Sequence, residues 1–287
     1  MKKTLLYILL ICTSLVIIFI NRKFEIIALN FCKDNASEYD LSVLTWNIRC
    51  PNGESPSRQY EIAELLLKQD VDIILLNEIC IDSCFVIDSL LRQKYLYSEE
   101  EQAHEFCGDV VYSRYRLLNS GHIFIPVRGK SIQTIQATVF VQTDSIYIYG
   151  CHLASNSNGG TLAITGWQSL SNLKELYDTY KDRQAFRCYQ IGWLKKFLPD
   201  AHNAMIVMGD INDVSGTAPL DSLKSYGLID SWWERGRGYG YTYHGGWLRL
   251  RIDHIMHSKR LKLRDIRVID TNLSDHNIVM AKFKIKV

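Results

Sequence analysis

Apolar residues along this chain fall in short blocks that end in polar residues, and the spacing within each block sets the element it can form. Leu41 to Trp46 and Val71 to Leu76 are apolar runs of strand length, while Ser57 to Lys68 between them places Ile62, Leu65 and Leu66 at helical spacing, so the chain opens as β-α-β. Val110 to Tyr112, Ile132 to Val141 and Ile146 to Leu153 are further strands, the last two joined by Gln142, Thr143, Asp144 and Ser145 as a hairpin turn. A second helix is expected within Arg183 to Phe197, stopped by Pro199. Ala204 to Met208 reads as a buried strand running into Gly209 and Asp210, and Ile252 to Met256, Arg264 to Ile269 and Ile278 to Ile285 supply the last strands. Strands interleave with helices, yet hairpins also occur, so the sheets should be mixed with helices outside them. The expected fold is α/β (α+β), a four-layer sandwich of two mixed β-sheets flanked by helices.

The N-terminus follows a different pattern. Lys2 and Lys3 precede an uncharged run from Thr4 to Ile20, followed by Asn21, Arg22 and Lys23. That run is near the lower end of the roughly 17–25 residues that span a bilayer. Ile18, Phe19 and Ile20 are too large for a signal-peptidase site, which favours a retained transmembrane helix over a cleaved leader. The expected organisation is an anchor over residues 1–23, a linker over 24–40 and a catalytic domain over 41–287. Basic residues flank the run on both sides, so the positive-inside rule barely biases it. The usual fate of an N-terminal anchor places the domain outside the cytoplasm.

Composition narrows the class. With 287 residues, 47% of them hydrophobic and 22% charged, one good-sized globular domain is expected and disorder is not. A net charge of +2 lacks the strong basic excess of a nonspecific nucleic-acid binder. None of the 8 cysteines forms a Cys-x-x-Cys, which argues against a zinc ribbon. Cys80 and Cys84 are close enough in sequence to pair, and a reduced, buried role fits them equally well.

The polar residues of interest stand where apolar strands end. Asn47 closes the first strand, Glu78 follows Val71 to Leu76, His152 closes the strand from Ile146, and Asp210 and Asn212 follow Ala204 to Met208. Asp253, Ser274, Asp275 and His276 complete the set. Singly, each has an ordinary structural explanation: turn amides for Asn47 and Asn212, a helix cap for Asp210, a satisfied core ring for His152. Acids, amides and histidines recurring at strand ends along one chain point instead to a shared polar site.

Thr45-Trp46-Asn47-Ile48, Asn77-Glu78-Ile79, His152-Leu153, Gly209-Asp210-Ile211-Asn212-Asp213, Arg251-Ile252-Asp253-His254-Ile255 and Ser274-Asp275-His276 occur in that order. Together they resemble the motifs of the endonuclease/exonuclease/phosphatase superfamily, the deoxyribonuclease I-like fold, over about Leu41 to Val287. The pattern departs at Asn77, where many relatives carry glutamine, and at Ile278, where proline commonly follows the Ser-Asp-His run. The resemblance implies a divalent-metal-dependent phosphodiesterase using Mg²⁺ or Mn²⁺, with Glu78 as principal metal ligand and Asn47 and Asp253 assisting. It implies that Asp275 pairs with His276, which acts as general base or stabilises the phosphorane. Asp210 orients the nucleophile, Asn212 grips a phosphate oxygen and His152 is a general acid. Alternation places Asp210 and Asn212 on one side of an extended segment and Cys151 on the opposite face from His152. Gly108 to Arg114 resembles the family strand ending in Ser-Arg, so Arg114 is a candidate phosphate ligand, with a solvated surface arginine as the alternative.

Substrate choice rests on the variable segments. The superfamily hosts nucleases, sphingomyelinases and phosphatases, so its motifs leave the leaving group open. Trp247 to Arg267 carries Arg249, Arg251, Lys259, Arg260, Lys262, Arg264 and Arg267, suited to a polyanion or to solvated strand edges. Aromatics from Trp232 to Trp247 suit base stacking, a lipid interface or core packing. Ser155 to Lys181 is either a lid beside His152 or an extension of the following helix. The expected partners are nucleic acid or another phosphodiester, with the membrane reached through the N-terminal helix. A sphingomyelinase-like phospholipid phosphodiesterase or a phosphatase at the membrane is the alternative, and a noncatalytic module of the same fold is another. A zinc hydrolase built on His152, His254, His257 and His276 lacks any His-Glu-x-x-His spacing.

Overall fold

A computed structural model describes residues 2–30, 38–50, 55–101, 108–127, 130–155, 170–245 and 249–286. Strands and helices are numbered in chain order. One six-stranded sheet runs β13 (Leu261–Ile269), β14 (Ile278–Ile285), β2 (Leu41–Cys50), β3 (Ile73–Ile79), β5 (Gly108–Ser113) and β4 (Tyr97–Glu101). The other runs β10 (Leu228–Asp230), β12 (Asp253–Ser258), β9 (Ala204–Asp210), β8 (Asp144–His152), β7 (Lys130–Val141) and β6 (Leu118–Val127). Each sheet has one parallel pair, β2 with β3 and β8 with β9, and its other pairs are antiparallel.

The parallel pairs follow from the crossovers. α2 (Pro56–Gln69) joins β2 to β3, and α4 (Leu170–Leu194) lies between β8 and β9. A parallel connection has to carry the chain back along the outside of its sheet, and a helix is the usual vehicle. Ser55 caps α2 by accepting from Arg58 N, Pro56 opens it without losing a needed donor, and Asp70 closes it in the left-handed region. Ile62 and Leu66 of α2 pack on the outer face of the first sheet, with Ile87 and Leu91 of α3 (Phe85–Arg92) beside them. Ile191 and Leu194 of α4, with Leu220 and Leu223 of α5 (Ala218–Ser225), cover the outer face of the second. Between the sheets Val43, Leu75, Val111, Ile148, Ile206, Met208, Ile255 and Phe283 form the central layer. The four-layer expectation therefore holds.

Helix α4 begins at Leu170, before Arg183, and ends at Leu194, so residues 170–181 extend the following helix, one of the two readings of Ser155 to Lys181. Helix α1 (Lys2–Phe24) stands where the N-terminal helix was expected. Among the described residues, however, no helix is long and apolar enough to cross a membrane. The described side chains of α1 begin at Cys12, and their apolar stretch ends at Ile20. After α1 the chain is fastened to the sandwich. β1 (Ala28–Leu29) pairs with β11 (Arg237–Gly238), just past α6 (Ser231–Arg235), and Asn30 Nδ2 donates to Trp233 O at 3.2 Å and Gly236 O at 3.0 Å. Glu25 meets Lys224 at 2.6 Å.

Candidate active site

Side-chain alternation carries each strand's inward stripe into the site. Val43 and Leu75 face the central layer, so Asn47 and Asn77 face inward at the ends of β2 and β3. Ile148 leads to His152 on β8 and Met208 to Asp210 on β9, and His152 lies opposite Asp210. On the antiparallel neighbours, Ile255 places Asp253 inward opposite Asp210, and Val111 places Asp109 inward. The C-terminal ends of the two parallel pairs thus meet at one edge of the central layer. Glu78 is the exception to alternation, because the residues that share its parity on β3, Ile74 and Leu76, face outward. A bulge between Leu76 and Ile79 with φ 54° at Glu78 turns it from that path. Arg49 at φ 45° and Asn212 at φ 57° are strained in the same way, and such strain gathers at functional sites.

Amides stitch the sheets together here. Asn47 Nδ2 donates to Glu78 Oε1 at 3.0 Å and to Asp210 Oδ2 at 3.1 Å, while its Oδ1 accepts from Arg49 N at 3.1 Å. Asn47 therefore turns its amide nitrogen to the carboxylates and aligns them, with its oxygen already engaged. Asn77 accepts from Asp210 N at 3.1 Å and donates to Cys151 O at 3.3 Å, a bridge from the first sheet to both parallel strands of the second. Gly209 permits the close pairing of β8 with β9 on which this bridge stands: at φ 132°, a Cβ there would overlap the Cys151 carbonyl.

His276 Nδ1 lies 2.8 Å from Asp253 Oδ2, and its Nε2 lies 3.8 Å from Asp210 Oδ2. Burial works against a charge on His276, but Asp253, with Asp210 and Asp275 behind it, outweighs burial and lifts its pKa to about 10. Asp253 is held below the usual carboxylate range despite its burial, through His276 and the Thr242 hydroxyl. Burial and the Asp253 charge raise Asp210 to about 6. His276 is further fixed by Trp46 Nε1 donating to its carbonyl at 2.9 Å, by its own N–H to Ser274 Oγ at 3.1 Å and by the edge of Tyr243.

His152 Nε2 lies 3.7 Å from Glu78 Oε1 and 3.9 Å from Asp210 Oδ2, and its Nδ1 lies 3.9 Å from Asp109 Oδ1. Asp109 is buried with no hydrogen-bond partner on either oxygen among the described residues. Burial pushes the His152 pKa down, yet Asp109, Asp210 and Glu78 together raise it. Sequence reasoning missed Asp109, although its signal was present: it stands two residues before inward-facing Val111.

Asn212 lies beyond the extended segment. β9 ends at Asp210, and the left-handed turn at Asn212 brings its N–H to Asp210 Oδ1 at 2.9 Å and its Nδ2 to Leu153 O at 2.9 Å. The pair reaches one pocket through a turn, not through the expected alternation. A primary amide has two N–H donors, so one stays available to a phosphate oxygen. Asp213 faces away and accepts from Arg187 Nε at 3.0 Å and Tyr180 OH at 2.9 Å, with Arg187 Nη2 2.9 Å from the same carboxylate as an ion pair. Arg187 Nη1 also donates to Ala154 O at 3.0 Å, so α4 clamps the loops after β8 and β9 together.

Several expectations are corrected. Asp253, not Asp275, is the partner of His276; Asp275 Oδ2 instead takes Arg49 Nη1 at 3.0 Å at the rim. Arg114 follows Ser113, which pairs with Ile73 at the start of β3, whereas Glu78 is near its end. At about 3.3 Å per residue that puts Arg114 well away from the site. Its guanidinium is tied to Asp70 and Asp72 over the Tyr95 ring. In the basic stretch Arg251 is buried against Asp230 at 2.8 Å, Arg260 pairs with Asp144 at 3.1 Å, exposed Lys259 follows the end of β12 opposite Asp253, and exposed Lys262 lies on β13 beside Lys284. His254 and His257 bind Asp213 O and Glu234 within the fold, which removes the zinc-hydrolase set. Cys80 and Cys84 are free thiols, and Cys151 packs outward with Tyr149, its pKa pushed to about 12 by burial. Trp232 is core, Trp247 lies outside the described residues, and so does 156–169 within the expected lid.

Ligand atoms of Asp210, Asp253 and His276 lie within 4.8 Å of one another, and Glu78 shares the Asn47 donor with Asp210. Asp253 Oδ1 is buried without a hydrogen-bond partner among the described residues. Hard carboxylate oxygens of this kind suit Mg²⁺ or Mn²⁺. A helix-flanked double sheet with acids and histidines converging where its parallel pairs end defines a hydrolase scaffold for phosphoester chemistry. The family model described as the Endonuclease/Exonuclease/phosphatase family matches residues 44–276, and the chain belongs to that family, whose members are metal-dependent nucleases, phosphodiesterases and phosphatases.

Solved structures agree on the fold. A truncated Caenorhabditis elegans TDP2 superposes with a TM-score of 0.63 at 17% identity, covering 85% of this chain and 97% of that one. The 3′-5′ exonuclease NExo from Neisseria meningitidis gives 0.61 at 19%, covering 85% and 100%. The human Nocturnin catalytic domain with a bound sulfate gives 0.61 at 19%, covering 86% and 94%. Identities this low show the fold alone. No curated protein matches the chain.

Proposed function

We propose that this chain is a divalent-metal-dependent phosphodiesterase that hydrolyses its substrate by in-line attack of water on phosphorus. The observation that carries the reading is the Asn47 amide, which joins Glu78 of one sheet to Asp210 of the other within reach of two histidines. Glu78 and Asp210 would hold Mg²⁺ or Mn²⁺, which when bound neutralises phosphate charge. Asp210 orients the attacking water and draws on its proton. His276, kept charged by Asp253, donates from Nε2 to the oxygens that gain charge in the phosphorane. Asn212 offers its remaining N–H to a phosphate oxygen. His152, backed by Asp109, protonates the leaving oxygen.

Glu78→Gln and His276→Ala separate these roles on bis(p-nitrophenyl) phosphate. Glu78→Gln removes a ligand charge, so part of its lost activity should return at higher Mg²⁺ or Mn²⁺. His276→Ala should lose about 10²–10⁴ in kcat with no metal rescue. Full activity in His276→Ala, or wild-type turnover that survives exhaustive chelation, would defeat the mechanism.

The membrane anchor is also our proposal, with the catalytic domain outside the cytoplasm and the anchor, linker and domain divided at residues 23 and 40. It is supported by the uncharged run from Thr4 to Ile20 and by exposed Leu15, Val16, Ile17, Ile18 and Phe19 on α1. A chain lacking residues 1–23 should leave the membrane fraction, and a reporter after Val287 should lie outside the cytoplasm. Retention of the shortened chain after a high-salt wash, or a cytoplasmic reporter, counts against it.

A further inference from the structure

Arg49 places a guanidinium at the rim of a pocket that Glu78, Asp109, Asp210 and Asp253 line together with His152 and His276. It sits on the bulge that ends β2, in the left-handed region, with its N–H fixed to Asn47 Oδ1 at 3.1 Å. The side chain that aligns Glu78 with Asp210 therefore also sets the base of the arginine. The guanidinium reaches Asp275 at 3.0 Å, with side-chain exposures of 63% and 22%, and Asp275 directly precedes His276. Among the described arginines near the site, Arg58 binds the carbonyls of Ile48 and Leu273, Arg187 binds Asp213, Arg251 binds Asp230, and exposed Arg249 donates to His244 O at 3.0 Å over the Tyr241 ring.

An ion pair this exposed is worth little and exchanges readily. A phosphate, by contrast, takes a guanidinium through two parallel hydrogen bonds. We propose that Arg49 is a substrate-positioning residue that leaves Asp275 to grip the phosphate next to the scissile one. The preferred substrate is then a nucleic-acid strand, whose successive phosphates place a second anion at the rim. A choline phospholipid would place a cation there, against Arg49. This rests on the phosphodiesterase reading of the same site.

Binding tests the assignment independently of turnover. The full chain in neutral detergent, with Ca²⁺ present, is titrated against a short fluorescein-labelled oligothymidylate by anisotropy. Arg49→Ala should raise Kd roughly tenfold and lower the slope of log Kd on log salt by about 0.7, as expected for one lost phosphate contact on a single strand. Arg49→Lys, which keeps the charge without the fork, should fall between. Asp275→Asn removes the competitor and should tighten binding by about threefold. A pair that only braces the fold would make Arg49→Ala and Asp275→Asn weaken binding alike, and that result, or an unchanged Kd in Arg49→Ala, overturns the proposal. Hydrolysis of bis(p-nitrophenyl) phosphate by the wild type is measured alongside. An inert wild type defeats the phosphodiesterase reading, whereas an active wild type whose strand binding ignores Arg49 defeats this inference alone.

Discussion

Replacing Arg187 by methionine tests whether the clamp on α4 supports stability, activity or both. Arg187 is fully buried, donates from Nε to Asp213 and from Nη1 to Ala154 O, and holds its Nη2 2.9 Å from the same Asp213 oxygen as an ion pair. Methionine fills most of the volume but leaves the Asp213 carboxylate buried with Tyr180 OH at 2.9 Å and Val214 N at 3.0 Å. Stranding one partner of a buried pair costs about 3–5 kcal/mol. For a domain of this size, about 2–4 °C per kcal/mol translates that into a Tm loss on the order of 6–20 °C. Activity should fall as well, because the clamp joins the loop that follows His152 to the loop that carries Asn212, and a misplacement of about 1 Å can cost roughly 10²-fold. Differential scanning fluorimetry and kcat on bis(p-nitrophenyl) phosphate, measured well below the lowest Tm, read the two effects separately. Arg187→Met with Asp213→Leu replaces the pair by apolar groups and should recover most of the stability without the activity. A Tm loss under about 2 °C in the single variant refutes the energetic argument. Recovery of activity along with stability in the double variant refutes the positioning argument.

Three further substitutions follow from the geometry. Asp109→Asn removes the charge behind His152, so the His152 pKa should fall and the basic limb of the kcat profile should move to lower pH; an unmoved limb separates Asp109 from proton transfer. Gly209→Ala sets a Cβ against Cys151 O and should lower both Tm and kcat by forcing β9 away from β8, the two strands that Asn77 bridges; a variant with wild-type Tm would show that these strands can part freely. Asp230 is held well below the carboxylate range, where Arg251 and His254 outweigh burial, so its contribution is complete above the unfolded value of about 3.9 and is lost as pH falls through the folded value. Asp230→Asn should therefore destabilise the protein at neutral pH and flatten the fall of Tm in acid, and an equally steep acid fall would assign that limb to other carboxylates.

The layers were legible because the apolar blocks had strand or helix spacing and their ends were marked. Pro56 and Asp70 bound α2, and Ile278 to Ile285 forms β14 as expected. What escaped notice had weak local signals or depended on distant partners. β6 carries Asn119, Ser120 and Gly121 near its start, with a register shift against β7 between Leu118 and Gly121. β1 and β11 are two residues each and exist only because they pair across more than two hundred positions. The early turns of α4 had a usable signal in Leu170, Leu173 and Leu176, recurring every third residue.

For the site, the motif positions were readable but their pairings were not, and the reason is three-dimensional register. Asp275 adjoins His276 in sequence, yet neighbours along a chain seldom meet through their side chains. Asp253 reaches the ring because β12 lies antiparallel to β9 with Asp253 opposite Asp210, while the loop before β14 brings His276 over the same edge. Arg114 was misplaced for a related reason: β5 runs antiparallel to β3, so the residue that follows its last strand position lies at the far end from Glu78, and its first inward residue, Asp109, takes the near end. A motif read along one strand gives residue types. Which end of that strand meets the site depends on the direction of its neighbour, and in this fold the site edge of each sheet is set by its one parallel pair.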